Sequence, residues 1–199
     1  MRIAVAGAGH VGLRVATLLA RYNHVELVDI IPEKVEMINR RISPIQDESI
    51  EKCFREMPLY LYATLDGASA YRDAEIVVIA VPTIYDSINN TFDTKNVERV
   101  IELVLSVNPN ATIVISSIVP VGYTESIRKK YHINNILFYI ELLKESNDHI
   151  VIGSDIEQRE QAEVFVNLLK QSALNEDIPV SYMSLTEAES LAYVNQINK

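Results

Sequence analysis

The stretch RIAVAGAGHVG, residues 2–12, sets three glycines in the spacing G-x-G-x-x-G between a β-branched apolar run and an amphipathic one. The spacing has a mechanical reading. Gly7 allows a tight turn after a strand, Gly9 lets backbone approach a pyrophosphate, and Gly12 lets the following helix pack closely on the strand. His10 and Val11 complete the loop, whose helix N-terminus offers amide donors and a positive dipole end. Asp29 closes the next strand pattern, the place from which a carboxylate holds adenosine ribose hydroxyls. The plainer alternative is a tight turn at Gly7 to Gly12 and a cap at Asp29 for the helix beginning at Pro32. Asp29 would repel a 2′-phosphate, and Ile30-Ile31 offers no arginine to receive one, so the expected cofactor is NAD and not NADP.

Outward from this loop, short β-branched runs alternate with longer amphipathic stretches. Strands are expected at 2–6, 25–29, 59–63, 75–80, 111–115, 135–139, 149–152 and 180–183, and helices at 11–22, 32–41, 94–107, 122–131, 156–171 and 186–197. Strand followed by helix, repeated, predicts an α/β fold: a Rossmann-type, doubly wound, mainly parallel sheet with helices on both faces. Residues 81–92 are polar, rich in asparagine and long for a connection, which marks them as a candidate binding loop.

Composition narrows the function classes. The 199 residues are 48% hydrophobic and 23% charged, as expected of a folded domain with a substantial core. A formal net charge of -9 argues against electrostatic binding of nucleic acid or an anionic membrane surface. No apolar run approaches the roughly 20 residues of a membrane span, and the N-terminus has no secretory pattern, so a cytoplasmic location is expected. The single cysteine, Cys53, fits a reducing compartment and reads as a half-buried helical thiol rather than a nucleophile. No metal site is expected.

Further motifs follow the glycine loop in order: DIIPEKVEMIN from Asp29, SPIQDESIE from Ser43, ATLDGASAY from Ala63, VPTIYD from Val81, FDTKNVE from Phe92, VPVGYT from Val119 and TEAE from Thr186. Together they resemble the NAD-binding half of the UDP-glucose 6-dehydrogenases, a family that includes GDP-mannose and UDP-N-acetylmannosamine dehydrogenases. The resemblance implies oxidation of a nucleotide sugar's C6 alcohol to a carboxylate in two NAD-dependent steps, with UDP-glucose as the expected sugar. It implies contacts to NAD from Val11, Asp29 and Lys34, with Lys34 reaching the adenosine ribose. It sets Thr83 and Ser117 along the cofactor and Glu145 near the nicotinamide, and it gives Glu141 a part in the later hydrolysis. Judged from the residues alone, Lys34 reads equally well as a solvated helix residue, and Thr83 and Ser117 as capping hydroxyls.

Departures from the family pattern carry expectations of their own. Ile118 stands where relatives carry a threonine hydroxyl, and Lys144 where they carry an arginine, whose planar fork a lysine cannot reproduce. Ala192 and Gln196 stand where relatives place a catalytic lysine and an asparagine. On the resemblance, residues 1–184 form the NAD-binding domain and 185–199 begin the connecting helix. The sugar-binding half with its cysteine nucleophile would lie beyond Lys199. UDP-sugar is implied only with that half, and a homodimer is a further expected partnership. The alternative expectation is a relative without turnover that binds NAD(H) or serves as an interaction domain.

Overall fold

A computed structural model describes residues 1–86, 91–142, 149–172 and 178–197. By contact density the chain divides into two compact units, Met1–Pro82 with Asn96–Ala111, and Thr83–Lys95 with Thr112–Lys199.

The first unit is built on β1 (Arg2–Ala6), β2 (His24–Val28), β3 (Leu61–Thr64) and β4 (Ile76–Ile79). These strands run parallel in the order β4-β1-β2-β3. Ile3 to Ala6 and Ile76 to Ile79 are buried throughout, as strands covered on both faces must be, whereas β3 alternates buried Leu61 and Ala63 with exposed Tyr62. Around them lie α1 (His10–Leu19), α2 (Pro32–Asn39), α3 (Glu48–Glu56), α4 (Gly67–Arg72) and α5 (Lys95–Val107). Pro32 opens α2 at the position where a missing N–H is harmless. Asp47 caps α3 by accepting from the amides of Ser49 and Ile50 at 3.0 and 3.2 Å, and Ile50 and Phe54, four residues apart, form its buried stripe.

The second unit holds β7 (Thr112–Ile115), β8 (Ile136–Leu142), β9 (His149–Gly153) and β10 (Val180–Met183), in the order β10-β9-β8-β7. β7 with β8 and β9 with β10 are parallel, and β8 with β9 is antiparallel. Its helices are α6 (Tyr123–Tyr131), α7 (Arg159–Ser172) and α8 (Leu185–Ile197), with a 3-10 turn at Ile156–Gln158 leading into α7. The mainly parallel, doubly wound expectation holds, with β8 and β9 pairing antiparallel within this order.

Three local features depart from the sequence reading. Residues 81–92 were expected as a loop, yet Ile84–Asp86 and Thr91–Asp93 form an antiparallel pair, β5 and β6, in which the Tyr85 and Phe92 rings meet at 4.9 Å. A cross-strand aromatic pair of this kind stabilises a short hairpin that its polar neighbours do not advertise. Residues 87–90 lie outside the described residues. Helices α3 and α4 were not bounded in advance: α3 is charged along most of its length, and α4 is six residues long. Cys53 lies on α3, half-buried, and burial raises its thiol pKa, which disfavours the thiolate, as its reading as a helical thiol requires.

The outer edge of β3 is closed by side chains. The Asn39 carboxamide accepts from the Ala63 amide at 2.8 Å and donates to the Ala63 carbonyl at 2.9 Å. The Arg41 guanidinium donates to the carbonyls of Leu61 and Leu59 at 3.1 and 2.7 Å. A single Asn side chain thus imitates a further strand, and the edge offers less of a template for pairing with another chain. Asn39→Ala strands both polar groups of buried Ala63, so the expected loss is about 1–3 kcal/mol in urea unfolding, with a gain in self-association visible by light scattering.

Candidate functional site

The first cluster of expected site residues lies where β1 and β2 end. Gly7 has φ +102°, a conformation that L side chains rarely adopt, and a Cβ there would come within 2.5 Å of the Ala80 carbonyl oxygen. A Cβ at Gly12 would lie 1.8 Å from the Gly7 carbonyl oxygen, so strand and helix meet backbone to backbone at this point. Gly9 is different: a Cβ there would meet nothing within 4 Å, so the loop is open above it. Gly9 is also the N-cap of α1 and supplies no side-chain acceptor, and His10 and Val11 in the first turn are exposed. The first amides of α1 are therefore not capped by the residue that precedes them.

Asp29 ties this loop to the end of β2. Its Oδ2 accepts from the Ala8 amide at 2.7 Å and its Oδ1 from the Ile31 amide at 3.0 Å. The residue is 9% exposed, and each carboxylate oxygen keeps acceptor capacity beyond the bond it makes. Lys34, on α2, donates from Nζ to the Ala8 carbonyl at 3.3 Å and stands 3.9 Å from Asp29 Oδ2. These residues fit a dinucleotide: an open backbone face at Gly9 for the pyrophosphate and an oriented, nearly buried carboxylate for a ribose diol. Lys34 is already engaged by the loop and by Asp29, which leaves its charge poorly placed to offset a 2′-phosphate against the carboxylate.

The second cluster lies in the other unit. Thr83 donates from Oγ1 to the Ile118 carbonyl at 2.6 Å, which pins the connection between β7 and α6. Ser117 in that connection is 5% exposed. Glu141 lies half-buried on β8, while Glu145 and Lys144 lie outside the described residues. Ala192 is buried on α8, where a lysine is expected from the family pattern. Asn195 is half-buried on the same helix, and nothing is described of the Gln196 side chain.

One residue in this cluster was quoted within a motif but given no role. Glu189, the last residue of TEAE, is fully buried at 0% exposure. Its carboxylate accepts from the amide of Gly122 at 2.5 Å and from the amide and hydroxyl of Thr124 at 2.7 and 2.6 Å. Burial pushes its pKa above the ordinary carboxylate value, and the three donors pull in the opposite direction. The sequence signal was a charged residue at a helix position whose neighbour Ala188 is apolar, which alone does not separate a buried acceptor from a solvated one.

Among the described residues, no group of three or more His, Cys, Asp or Glu could hold a metal ion, and no helix is long and apolar enough to cross a membrane.

Comparison with known proteins agrees with the geometry. Residues 1–172 match the NAD-binding domain of the UDP-glucose/GDP-mannose dehydrogenase family. The chain is 44% identical to a UDP-glucose 6-dehydrogenase of Streptococcus pneumoniae, over 95% of this chain and 51% of that protein. It is 35% identical to a UDP-glucose 6-dehydrogenase of Campylobacter jejuni, over 96% of this chain and 50% of that protein. A solved GDP-mannose dehydrogenase from Pseudomonas aeruginosa superposes with a TM-score of 0.82 at 23% identity, covering 99% of this chain and 49% of that one, which shows a shared fold. The chain spans about half the length of the curated relatives it matches. With a cofactor loop built as the glycine spacing demands and a family match over most of its residues, the chain belongs to the UDP-glucose/GDP-mannose dehydrogenase family and carries that family's NAD-binding domain.

Proposed function

We propose that this chain is the cofactor half of a nucleotide-sugar 6-dehydrogenase acting on UDP-glucose, with residues 1–184 forming the NAD-binding domain. The observation that carries the cofactor assignment is the Asp29 carboxylate, held by the Ala8 and Ile31 amides beside the open face of Gly9. The similarity to the pneumococcal UDP-glucose 6-dehydrogenase supports the choice of sugar. NAD, when bound, supplies the hydride acceptor for oxidising the sugar's C6 alcohol. The chain's own residues do the rest of the binding work: the loop amides and α1 dipole hold the phosphates, and Asp29 orients the adenosine ribose. By family resemblance Thr83 and Ser117 extend the cofactor contacts, and Glu141 with Glu145 assists the chemistry in the whole protein. UDP-sugar and a homodimer partner belong to the same reading. A reducing, cytoplasmic location belongs to the same reading, since a single cysteine, Cys53, cannot form a disulfide within this sequence.

A second reading is favoured by specific positions. Ala192 is buried where relatives carry a lysine, and Ile118 replaces a hydroxyl beside Thr83. On that reading the domain binds NAD(H) without supporting turnover, as a sensor or interaction domain. The two readings part on whether adding the second half of a relative restores UDP-glucose oxidation.

Isothermal titration should show NAD and NADH binding in the micromolar to millimolar range, and absence of binding overturns both readings. NADP should bind at least about tenfold more weakly, because Asp29 meets its 2′-phosphate as a like charge. Asp29→Ala should weaken NAD by about tenfold or more through loss of the ribose acceptor and of the Ala8 tether, a change the same titration reads. Gly12→Ala forces a methyl into the Gly7 carbonyl, so a lowered melting temperature together with lost NAD binding is expected. Ile118→Thr keeps the backbone carbonyl that Thr83 grips, and should leave NAD affinity within about twofold.

A further inference from the structure

The connection from β7 to α6, residues 116–122, has no regular structure, so its shape is set by what grips it. Thr83 grips it at the Ile118 carbonyl. Its far end is gripped by Glu189, which reaches across from α8 to the start of α6. Gly122 is the N-cap of α6, at φ +86°, and has no side chain with which to satisfy the first amides of its own helix. Glu189 takes that role from sixty-odd residues away: its carboxylate satisfies the Gly122 and Thr124 amides and sits at the positive end of the α6 dipole.

The chemistry of the cradle calls for a carboxylate in particular. One oxygen faces the Gly122 N–H, and the other faces both the N–H and the O–H of Thr124. A glutamine in the same place would turn its NH2 toward a backbone N–H in either amide orientation, setting donor against donor in a buried site. The partners are donors rather than a cation, so the residue acts as an acceptor with three directed bonds and is not one half of an ion pair.

We propose that Glu189 is a positioning residue for the cofactor loop: through its bonds to Gly122 and Thr124 it sets the conformation of residues 117–122 that receives the nicotinamide end of NAD, and so makes that affinity depend on the seating of α8. This rests on the NAD-binding reading and on the family assignment of Ser117 to the cofactor. Asp29 and the glycine loop, which receive the adenosine end, make no bond to Glu189.

The test compares two ligands on the same chain. ADP-ribose carries every part of NAD except the nicotinamide, so it reports the Asp29 cluster, and NADH reports both ends. For Glu189→Gln the expected result is a loss of about tenfold or more in NADH affinity, with ADP-ribose changed by no more than about twofold. Thr124→Val removes one hydroxyl bond and keeps both amides, and should show the same selectivity with a loss of about threefold to tenfold, which keeps the proposal testable if the glutamine variant does not fold. Equal losses for the two ligands, or none, would mean that Glu189 merely stabilises the fold, and would overturn the proposal. A wild-type chain that binds neither ligand would instead overturn the NAD reading beneath it.

Discussion

Position 12 has no side chain, and the first unit depends on that vacancy. The Gly7 carbonyl occupies the space where a Cβ would stand, so the start of α1 rests on the end of β1 with backbone against backbone. This contact fixes the loop between them, and the loop then sets what else can be built. Ala8 is turned so that its amide meets Asp29 and its carbonyl meets Lys34, which joins the ends of β1 and β2 and the first turns of α2 into one polar assembly. The Gly9 face stays open because the crowding has been absorbed on either side of it. Such a loop leaves the backbone at a helix N-terminus uncovered by side chains, an arrangement that suits a phosphate.

The second unit solves a similar problem with side chains instead of glycines. The connection after β7 lacks a helix or strand of its own, so beyond the local Tyr123–Pro120 turn bond it draws partners from distant stretches of chain. Thr83 supplies one donor and Glu189 three acceptor bonds, each from a distant stretch of chain. Burying a carboxylate is expensive, and the three short bonds offset much of that penalty. Satisfying an α6 N-terminus from α8 also orders two elements that pack on each other, with α8 lying along β8 and β9 and beside α6. The first unit shows the same economy at its edge, where Asn39 and Arg41 give β3 the hydrogen-bond partners of a missing strand.

The family match accounts for why so much of this could be anticipated from residue order alone. Glycine spacing, a strand before it, a helix after it and a carboxylate at the end of the next strand are all local, and each has one dominant physical use. The bounds of β1 and β10 were expected residue for residue, and other strands shifted by one to three residues at their ends, where fraying and capping compete. What escaped notice was either short or disguised. The β5–β6 pair is held by Tyr85 and Phe92 across the strands, a contact that period-two counting over three residues cannot reveal. Around Cys53 a helix was expected, but its bounds were masked by charge, with the burial of α3 resting on Ile50 and Phe54.

The sequence by itself therefore determined the class of fold, the glycine loop and the carboxylate at the end of the next strand, because those depend on backbone conformation and on residues close in the chain. Only the tertiary structure decided which groups Asp29, Lys34, Asn39 and Glu189 bond, since each meets a donor or acceptor that folding brings to it. For Glu189 the reason is sharpest: a buried carboxylate is tolerable only where enough donors converge, and the donors that converge on it belong to Gly122 and Thr124, which no spacing rule connects to it.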